Sequence, residues 1–342
     1  MKSKLELLAP AGSPETLRAA VKAGADAVYL GAAKFSARAN AKNFHGDALA
    51  NAVAYARSHG VAVYLAVNTL MTDRELDDAI QLVTHSNRLS VAAFIVQDLG
   101  LGARIRKALP QAVLHASTQM TAKSLADVQA LGRLGYSRVV MARELSATQL
   151  REIAAGTEVE LEVFVHGALC SSESGQCLMS AFLGGYTPAK QATRSDGPSG
   201  QQAKLARGRS ANRGACAQPC RLPYSAGLSA STAAPPGTKS GKPIPAPLLS
   251  LKDLCLIDQV GELACMGIKS LKIEGRMKGE DYVRTVVSAY RKVLDGGQLS
   301  AKERARLFAV FNRGGYTSGY FDGCTAGMYM DALSSPYEKG RK

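Results

Sequence analysis

Four cysteines in the middle of the chain have the residue type and spacing to bind a metal. Cys170 and Cys177 form a Cys-x6-Cys pair, and Cys216 and Cys220 form a later Cys-x3-Cys pair. In an intracellular protein, clustered cysteines indicate metal binding or catalysis rather than disulfides. Cys255 follows the second pair and is an alternative to Cys220 as the fourth ligand.

The spacing of these cysteines and the residues around them bear on which metal they bind. Their spacing matches neither the Cys-x2-Cys pairs of common zinc sites nor the cysteine runs of ferredoxins. Cys170 and Cys177 stand among Ser, Glu and Gln, whereas Cys265 and Cys324 fit ordinary isolated cysteines. We expect an iron–sulfur cluster in this loop, with zinc as the alternative.

A second set of polar residues directly follows short apolar runs, where a parallel sheet would place reactive groups. As catalytic candidates we take Glu274, Arg276, His166, Asn68 and Arg143. A nucleophilic Cys or Ser with His166 as its base is an alternative chemistry. The cysteines are more numerous than a protease needs, and the sequence has no GxSxG or HExxH motif.

Short apolar runs alternate with amphipathic helical runs from residue 4 onward. Ser13, Pro14 and Glu15 mark the start of the first helix. Strict alternation predicts parallel strands with right-handed crossovers. Eight such units predict an α/β fold, a (β/α)8 TIM-type barrel. A doubly wound open sheet is the competing fold, but no GxGxxG follows the first strand.

The domain organisation follows from where the alternation breaks. We predict one barrel over residues 1–298, with a Cys-rich, metal-binding and basic insertion at 167–250 after strand seven. Alternation then resumes with a helix at residues 253–265, an eighth strand at Ser270–Ile273 and a helix at Glu280–Leu294. Residues 299–342 form a C-terminal extension with a helical start and no assigned fold.

The net charge of +14 is concentrated in one segment. Residues 186–245 contain nine Lys or Arg and one Asp, which favours RNA as a partner over a membrane. A solvated basic loop is the alternative. The candidate RNA contacts are Arg207, Arg209, Arg213 and Arg221. No stretch approaches the roughly 20 apolar residues of a membrane helix, and the N-terminus does not resemble a secretory signal. We expect a cytoplasmic protein that does not enter the membrane.

Several blocks of the sequence resemble the peptidase U32 family. The strongest is EVFVHGALC at residues 162–170, which continues as SGQCLMS at 174–180. The others are LLAPAGS at 7–13, GADAVYLG at 24–31, HASTQM at 115–120, NRGACAQPCR at 212–221 and KIEGR at 272–276. The resemblance covers residues 4 to about 295.

The resemblance implies an oxygen-independent RNA hydroxylase with a [4Fe-4S] cluster on four cysteines of the loop. Its substrate would be a tRNA uridine or a 23S rRNA cytidine, with prephenate as hydroxyl donor. We expect Arg276, together with Arg38 or Arg143, to bind the donor's carboxylates, and Glu274 to be an acid/base or orienting group. Collagenase-like peptidase activity is the first alternative, and an RNA-binding scaffold stapled by the metal is the second.

Overall fold

Eight parallel strands close into a barrel, so the predicted fold class is confirmed. The computed structural model describes residues 5–39, 41–185, 208–224 and 246–330. Seven strands pair in chain order, and the last barrel strand pairs in parallel with both the seventh and the first. The barrel strands are β1 (Glu6–Pro10), β2 (Ala27–Gly31), β3 (Ala62–Val67), β4 (Ala93–Val96), β5 (Leu114–Ala116), β6 (Arg138–Val140), β7 (Glu160–Gly167) and β9 (Ser270–Ile273).

Helices cover the outside of the barrel and follow the predicted start signals. Ser13 caps the first helix through reciprocal bonds with Thr16, and Pro14 occupies its first turn. The helices are α1 (Pro14–Lys22), α2 (Asp47–Ser58), α3 (Asp73–Arg88), α4 (Leu99–Ala108), α5 (Leu125–Arg133), α6 (Ala147–Ala155), α7 (Met179–Leu183), α8 (Val260–Cys265), α9 (Glu280–Leu294) and α10 (Ala301–Ala309). Within the described ranges, no helix is long and apolar enough to cross a membrane.

The helix predicted at residues 253–265 is wrong in its first half. Asp253–Cys255 forms strand β8, which pairs antiparallel with the end of β7 and places Cys255 opposite His166. A 3-10 turn at Ile257–Gln259 follows, and α8 begins after it. Backbone pairing with β7 prevails here because helix propensity is a weak bias that tertiary contacts override.

The described part of the C-terminal extension packs against the barrel. Helix α10 contacts α9, where Lys292 and Glu303 form a salt bridge of 2.7 Å. The short strand β10 (Tyr316–Thr317) pairs in parallel with β8. Arg313, just before β10, meets the fully buried carboxylate of Asp253 at 2.9 Å. Together with β8, the extension therefore forms a small two-stranded flank beside β7.

Apolar and charged groups share the interior of the barrel. A large apolar core lies between strands and helices, and a small one inside the ring includes Leu8 and Tyr29. Buried Glu162 bonds to Lys272 at 2.7 Å and to Arg138 at 3.4 Å. These pairs lie on inward-facing positions of their strands, where the alternation of side chains places every second residue. The interior of the barrel below its C-terminal face therefore contains paired charges as well as apolar side chains.

Candidate active site and metal centre

A cavity of about 210 Å³ opens at the C-terminal ends of the barrel strands. Loops after β2, β3, β5, β6, β7 and β9 line it, together with residues 211–221 of the insertion. Among the described residues, its charged lining consists of one carboxylate, Glu274, and seven cations: Arg38, Arg143, Arg221, Lys272, Arg276, Lys278 and Arg313. This excess of positive charge favours an anionic ligand.

Glu274 is the centre of the charged cluster. One of its oxygens lies 3.1 Å from Arg38, and the other lies 3.3 Å from Arg143. Burial raises the pKa of Glu274, but the guanidinium groups of Arg38, Arg143 and Arg276 outweigh burial and hold this pKa at about 2. Glu274 is therefore ionised at neutral pH. It can orient the arginines, but it has no proton to donate.

Two arginines in the cavity keep a hydrogen-bond donor without a protein partner. Arg143 lies over the ring of Phe164 at 3.9 Å and donates to the backbone oxygen of Ala168 at 2.9 Å. Arg276 is buried and donates to Ser36 Oγ at 2.6 Å. Within the described ranges, the buried Nε of each arginine has no acceptor. Buried donors are rarely left unpaired, which indicates a place for ligand oxygens.

Four thiols face the same cavity. Cys170, Cys177, Cys216 and Cys220 all line it, and all are free of disulfides. Burial raises the pKa of Cys177 and of Cys220, and the other thiols of the set raise it further. In the described part of the chain, no three potential ligands already stand at metal-binding geometry. The donor set itself fits a thiolate-bound metal, which draws ligand loops together when it binds.

Cys255 lies apart from these four thiols. It belongs to β8 and does not line the cavity. The groups that act on its thiol are Tyr290, Ile257 and Asp258, with Arg304 beyond them, whereas the other thiols act on Cys220. Of the two cysteines that the sequence leaves as alternatives, Cys220 therefore lies with the other three thiols and Cys255 does not.

Two glycines let the cysteine-bearing loops approach the barrel closely. Gly175 has φ +80°, and a Cβ there would lie 2.0 Å from the backbone oxygen of Gln119. Gly214 has φ +83°, and a Cβ there would lie 2.4 Å from the backbone oxygen of Ser36. Only glycine combines this left-handed backbone with so close an approach. The two halves of the thiol set are thereby held against the loops after β5 and β2.

Arg221 holds the insertion in place, although the sequence predicts that it binds RNA. Its side chain is buried, and it donates to the backbone oxygens of Leu169 and Leu251 and to Ser250 Oγ. The sequence shows that Arg221 is charged, but it does not show which backbone oxygens lie near it in the folded chain. The contacts that the structure gives Arg221 are therefore all within the protein, and its binding of RNA stays a prediction.

Two further candidates for RNA binding are also engaged within the protein. Arg209 donates to the backbone oxygen of Cys216 at 2.6 Å, so it shapes the second cysteine loop. Arg213 forms a salt bridge of 2.6 Å with Glu75 at the start of α3. Both arginines thus have partners within the protein, and their contacts with RNA stay a prediction. The fourth candidate, Arg207, lies outside the described residues.

Asn68 lines the cavity as expected and connects two of its loops. Its Oδ1 accepts a hydrogen bond from the backbone N–H of Ala37 at 3.1 Å. Its Nδ2 donates to Ser117 Oγ at 3.4 Å. The side chain therefore fixes the loop after β2 relative to the loop after β5.

His166 does not lie in the cavity. It is fully buried beside Tyr282, Tyr290 and Tyr316, with ring centroids between 5.1 and 6.0 Å from its own. Burial lowers the pKa of His166 to about 3, so the ring is neutral. The pairing register of β7 shifts between Phe164, which lines the cavity, and His166, which does not. The structure therefore does not bring His166 to the reactive groups.

Two lysines that the sequence reasoning missed also line the cavity. Lys272 is buried, pairs with Glu162 at 2.7 Å and lies 4.4 Å from the ring centroid of Tyr29. Its signal is a charged residue that alternates with apolar ones in a strand. Lys278 lies over the ring of Phe311. No local pattern announces this contact, because Phe311 comes from the C-terminal extension.

A comparison with family models matches residues 12–330 to peptidase family U32. The chain belongs to this family. The match confirms the resemblance, and every one of the sequence blocks except LLAPAGS at 7–13 contributes residues to the cavity lining. Among solved structures, the U32 peptidase Mk0906 is 13% identical, with a TM-score of 0.41, and the match covers 49% of this chain and 71% of that one.

Three curated relatives of this family member carry two kinds of name. The 23S rRNA 5-hydroxycytidine C2501 synthase of Escherichia coli (strain K12) is 36% identical over 85% of this chain and 39% of that protein. The tRNA hydroxylation protein P1 of Bacillus subtilis (strain 168) is 36% identical over 85% of this chain and 63% of that protein. A collagenase of Porphyromonas gingivalis is 31% identical over 96% of this chain and 76% of that protein. The chain thus spans less than two thirds of the two hydroxylation proteins.

Proposed function

We propose that this chain is the barrel of an RNA hydroxylase that acts on a pyrimidine of tRNA or 23S rRNA in the cytoplasm. The observation that carries the proposal is the convergence of four free thiols and an arginine–glutamate cluster on one cavity. Two relatives at 36% identity, named for rRNA and tRNA hydroxylation, support RNA as the substrate.

In this function, Cys170, Cys177, Cys216 and Cys220 hold a [4Fe-4S] cluster. Thiolates are the usual ligands of such clusters, and these four free thiols line one cavity. A bound cluster supplies electron transfer next to the substrate. Zinc also accepts four thiolates and is the alternative. Iron and acid-labile sulfide in protein purified without air distinguish the two metals.

Arg276 anchors the hydroxyl donor, for which we propose prephenate. A guanidinium group binds a carboxylate through two parallel hydrogen bonds, and Arg276 offers a buried Nε without a protein acceptor. Burial lowers the pKa of Arg276 to about 10, so it stays charged at neutral pH. Arg143 offers a second such Nε. Two guanidinium groups in one cavity suit a dicarboxylate.

Glu274 serves this site by positioning rather than by proton transfer. It fixes Arg38 and Arg143 through its two oxygens, and its pKa of about 2 leaves it without a proton to donate at neutral pH. Asn68 holds the neighbouring loops at a constant separation. The donor would thus enter a cavity whose cations are already oriented, which lowers the entropy lost on binding.

Peptidase activity is the second candidate, because the relative named collagenase matches nearly the whole chain. A Cys or Ser nucleophile needs a nearby base. The chain has five histidines, all within the described ranges, and none of them lines the cavity. The only carboxylate in the described lining, Glu274, is held by two arginines. The geometry therefore favours hydroxylation.

Mass spectrometry of nucleosides from tRNA and 23S rRNA tests the proposal. A strain without the gene should lose one hydroxylated pyrimidine, and the wild-type gene should restore it. Cys216→Ala and Arg276→Ala should not restore it, whereas Cys324→Ala, an exposed cysteine outside the cavity, should. If every hydroxylated base persists in the deletion strain, the proposal fails. Chelator-sensitive cleavage of peptides would support the peptidase, and tight RNA binding without either activity would support a scaffold.

A further inference from the structure

We propose that the rim of the cavity carries a base-stacking site for single-stranded RNA, built on Phe311 and Lys278. The site deepens the proposed function and rests on it, because it would hold the nucleotide next to the one in the cavity. The sequence patterns assign neither residue a role, and Phe311 belongs to the extension whose fold they leave open.

The rim site lies where the extension meets the loop after β9. Met277 and Lys278 of that loop line the cavity, as does Arg313 of the extension. Phe311 is 59% exposed, and Lys278 Nζ lies 3.3 Å from its ring centroid. The ammonium group therefore lies over one face of the ring, and more than half of the residue is exposed to solvent.

An exposed aromatic ring is by itself an ordinary surface feature. At this rim, the ring stands at the mouth of a cavity beside a cation whose nearest carboxylates are already engaged. Asp253 is paired with Arg313, and Glu274 is paired with two other arginines. Lys278 therefore has its charge available for an anion from outside the protein.

A single strand of RNA supplies both complementary groups. A base stacks on an exposed aromatic ring whatever its identity, and a backbone phosphate binds the neighbouring ammonium. Bases in a duplex are stacked on one another, so only an unpaired strand can use the ring. Burial, and after it the charge of Arg313, lower the pKa of Lys278 to about 8, so the group is still mostly charged at pH 7.

The position of the rim also fits what the reaction requires. An enzyme that modifies a base must take that base out of the stack, which removes its contacts with both neighbours. A ring at the mouth of the cavity can stack on one neighbour and replace part of the lost contact. Lys278 and Met277 line the cavity itself, so the two sites are continuous.

The test is fluorescence anisotropy with a short, labelled, single-stranded pyrimidine RNA and the full chain purified without air. Phe311→Ala should weaken binding roughly five- to 150-fold, the range that loss of one stacked base predicts. Phe311→Tyr should bind as the wild type does, because it keeps the ring. Lys278→Gln should lower the slope of log affinity against log salt by roughly 0.7. Leu134→Ala, an equally exposed apolar side chain at the opposite end of the barrel, is the matched control.

Unchanged affinity of Phe311→Ala would overturn the inference, as would an equal loss for the same RNA in duplex form. If Phe311→Ala is poorly folded by circular dichroism, the salt slope of Lys278→Gln decides the question, and an unchanged slope overturns the inference. Nucleoside analysis keeps this inference separate from the proposed function. A wild-type chain that restores the hydroxylated base while Phe311→Ala binds RNA normally would remove the rim site and leave the hydroxylase in place.

Discussion

Two arginines of the cavity depend on one buried carboxylate, that of Glu274. Glu274→Gln would leave Arg38 and Arg143 beside each other without their counter-ion. We expect the free energy of unfolding to fall by roughly 3 kcal/mol at neutral pH, because breaking a buried ion pair leaves charge uncompensated. Urea unfolding measures this difference. Glu262→Gln is the matched control, since its pair with Arg151 is solvent-exposed and should contribute less than about 1 kcal/mol.

The same variant has a pH signature whose sign follows from the pKa of Glu274. That pKa is about 2 in the folded protein, below the ordinary value of 4.5. The ionised group therefore stabilises the fold above pH 4.5, and this contribution is lost as the pH falls toward 2. The gap between wild type and Glu274→Gln should shrink from about 3 to about 1 kcal/mol between about pH 6 and pH 3. A constant gap would contradict the ion-pair account.

The choice between Cys220 and Cys255 can be made by metal content. Cys220 shares the cavity with three other thiols, and Cys255 does not. We expect Cys220→Ala to lose most of the bound metal and Cys255→Ala to keep it. Iron and sulfide analysis, with a visible spectrum, checks both variants, and Cys265→Ala controls for the loss of an exposed thiol. Metal loss in Cys255→Ala alone would reverse the assignment.

Residue types in the sequence identify the cavity better than they identify individual roles. The place of the thiols and of Glu274 at one cavity could be predicted, because the cysteines cluster in one segment and Glu274 directly follows a strand. The contacts of Arg221 and His166 could not be predicted, because the sequence shows the hydrogen-bonding groups of these residues but not their partners. Arg221 meets backbone carbonyls, and His166 meets three tyrosines. Both sets of contacts come from segments distant in the chain.

The flank formed by β8 and β10 is the element that the sequence did not predict. Its pairings involve two or three residues each, too few to show a period of two. The eight barrel strands were predictable because they are short, largely apolar runs that alternate with amphipathic helical runs. The flank depends on partners that are close only in the folded chain, above all the end of β7 and the Asp253–Arg313 pair.

That ion pair should matter to the stability of the flank. The Asp253 carboxylate is fully buried, and its Oδ2 has no hydrogen-bond donor among the described residues. Arg313→Met keeps most of the side-chain volume but leaves the carboxylate unpaired, so we expect a loss of roughly 3–5 kcal/mol in the free energy of unfolding. Arg151→Met, at an exposed pair, should change little. Partial recovery in the Asp253→Asn/Arg313→Met double variant would assign the loss to the pair.

The basic residues behind the net charge of +14 fall into two classes: those near the cavity and those in residues 186–207 and 225–245. The cations around the cavity include several that are held by carboxylates or backbone oxygens, such as Arg213 and Arg221. The basic residues of 186–207 and 225–245 lie outside the described ranges, so for them only the charge argument from the sequence applies. The two classes should differ in how they affect RNA binding.

Salt dependence separates the two classes, because each phosphate contact releases counter-ions when RNA binds. Replacing Lys204 and Arg207 by Gln should lower the slope of log affinity against log salt by roughly 0.7 for each phosphate contact that is lost. Arg213→Gln removes the same formal charge but breaks a salt bridge with Glu75, so it should leave the slope nearly unchanged and lower the melting temperature instead. Anisotropy titrations over a range of salt concentrations measure the slopes. Equal slope changes in the Lys204/Arg207 variant and in Arg213→Gln would mean that Arg213 exchanges Glu75 for RNA. The net charge of the insertion, rather than the partners of each arginine, would then govern association.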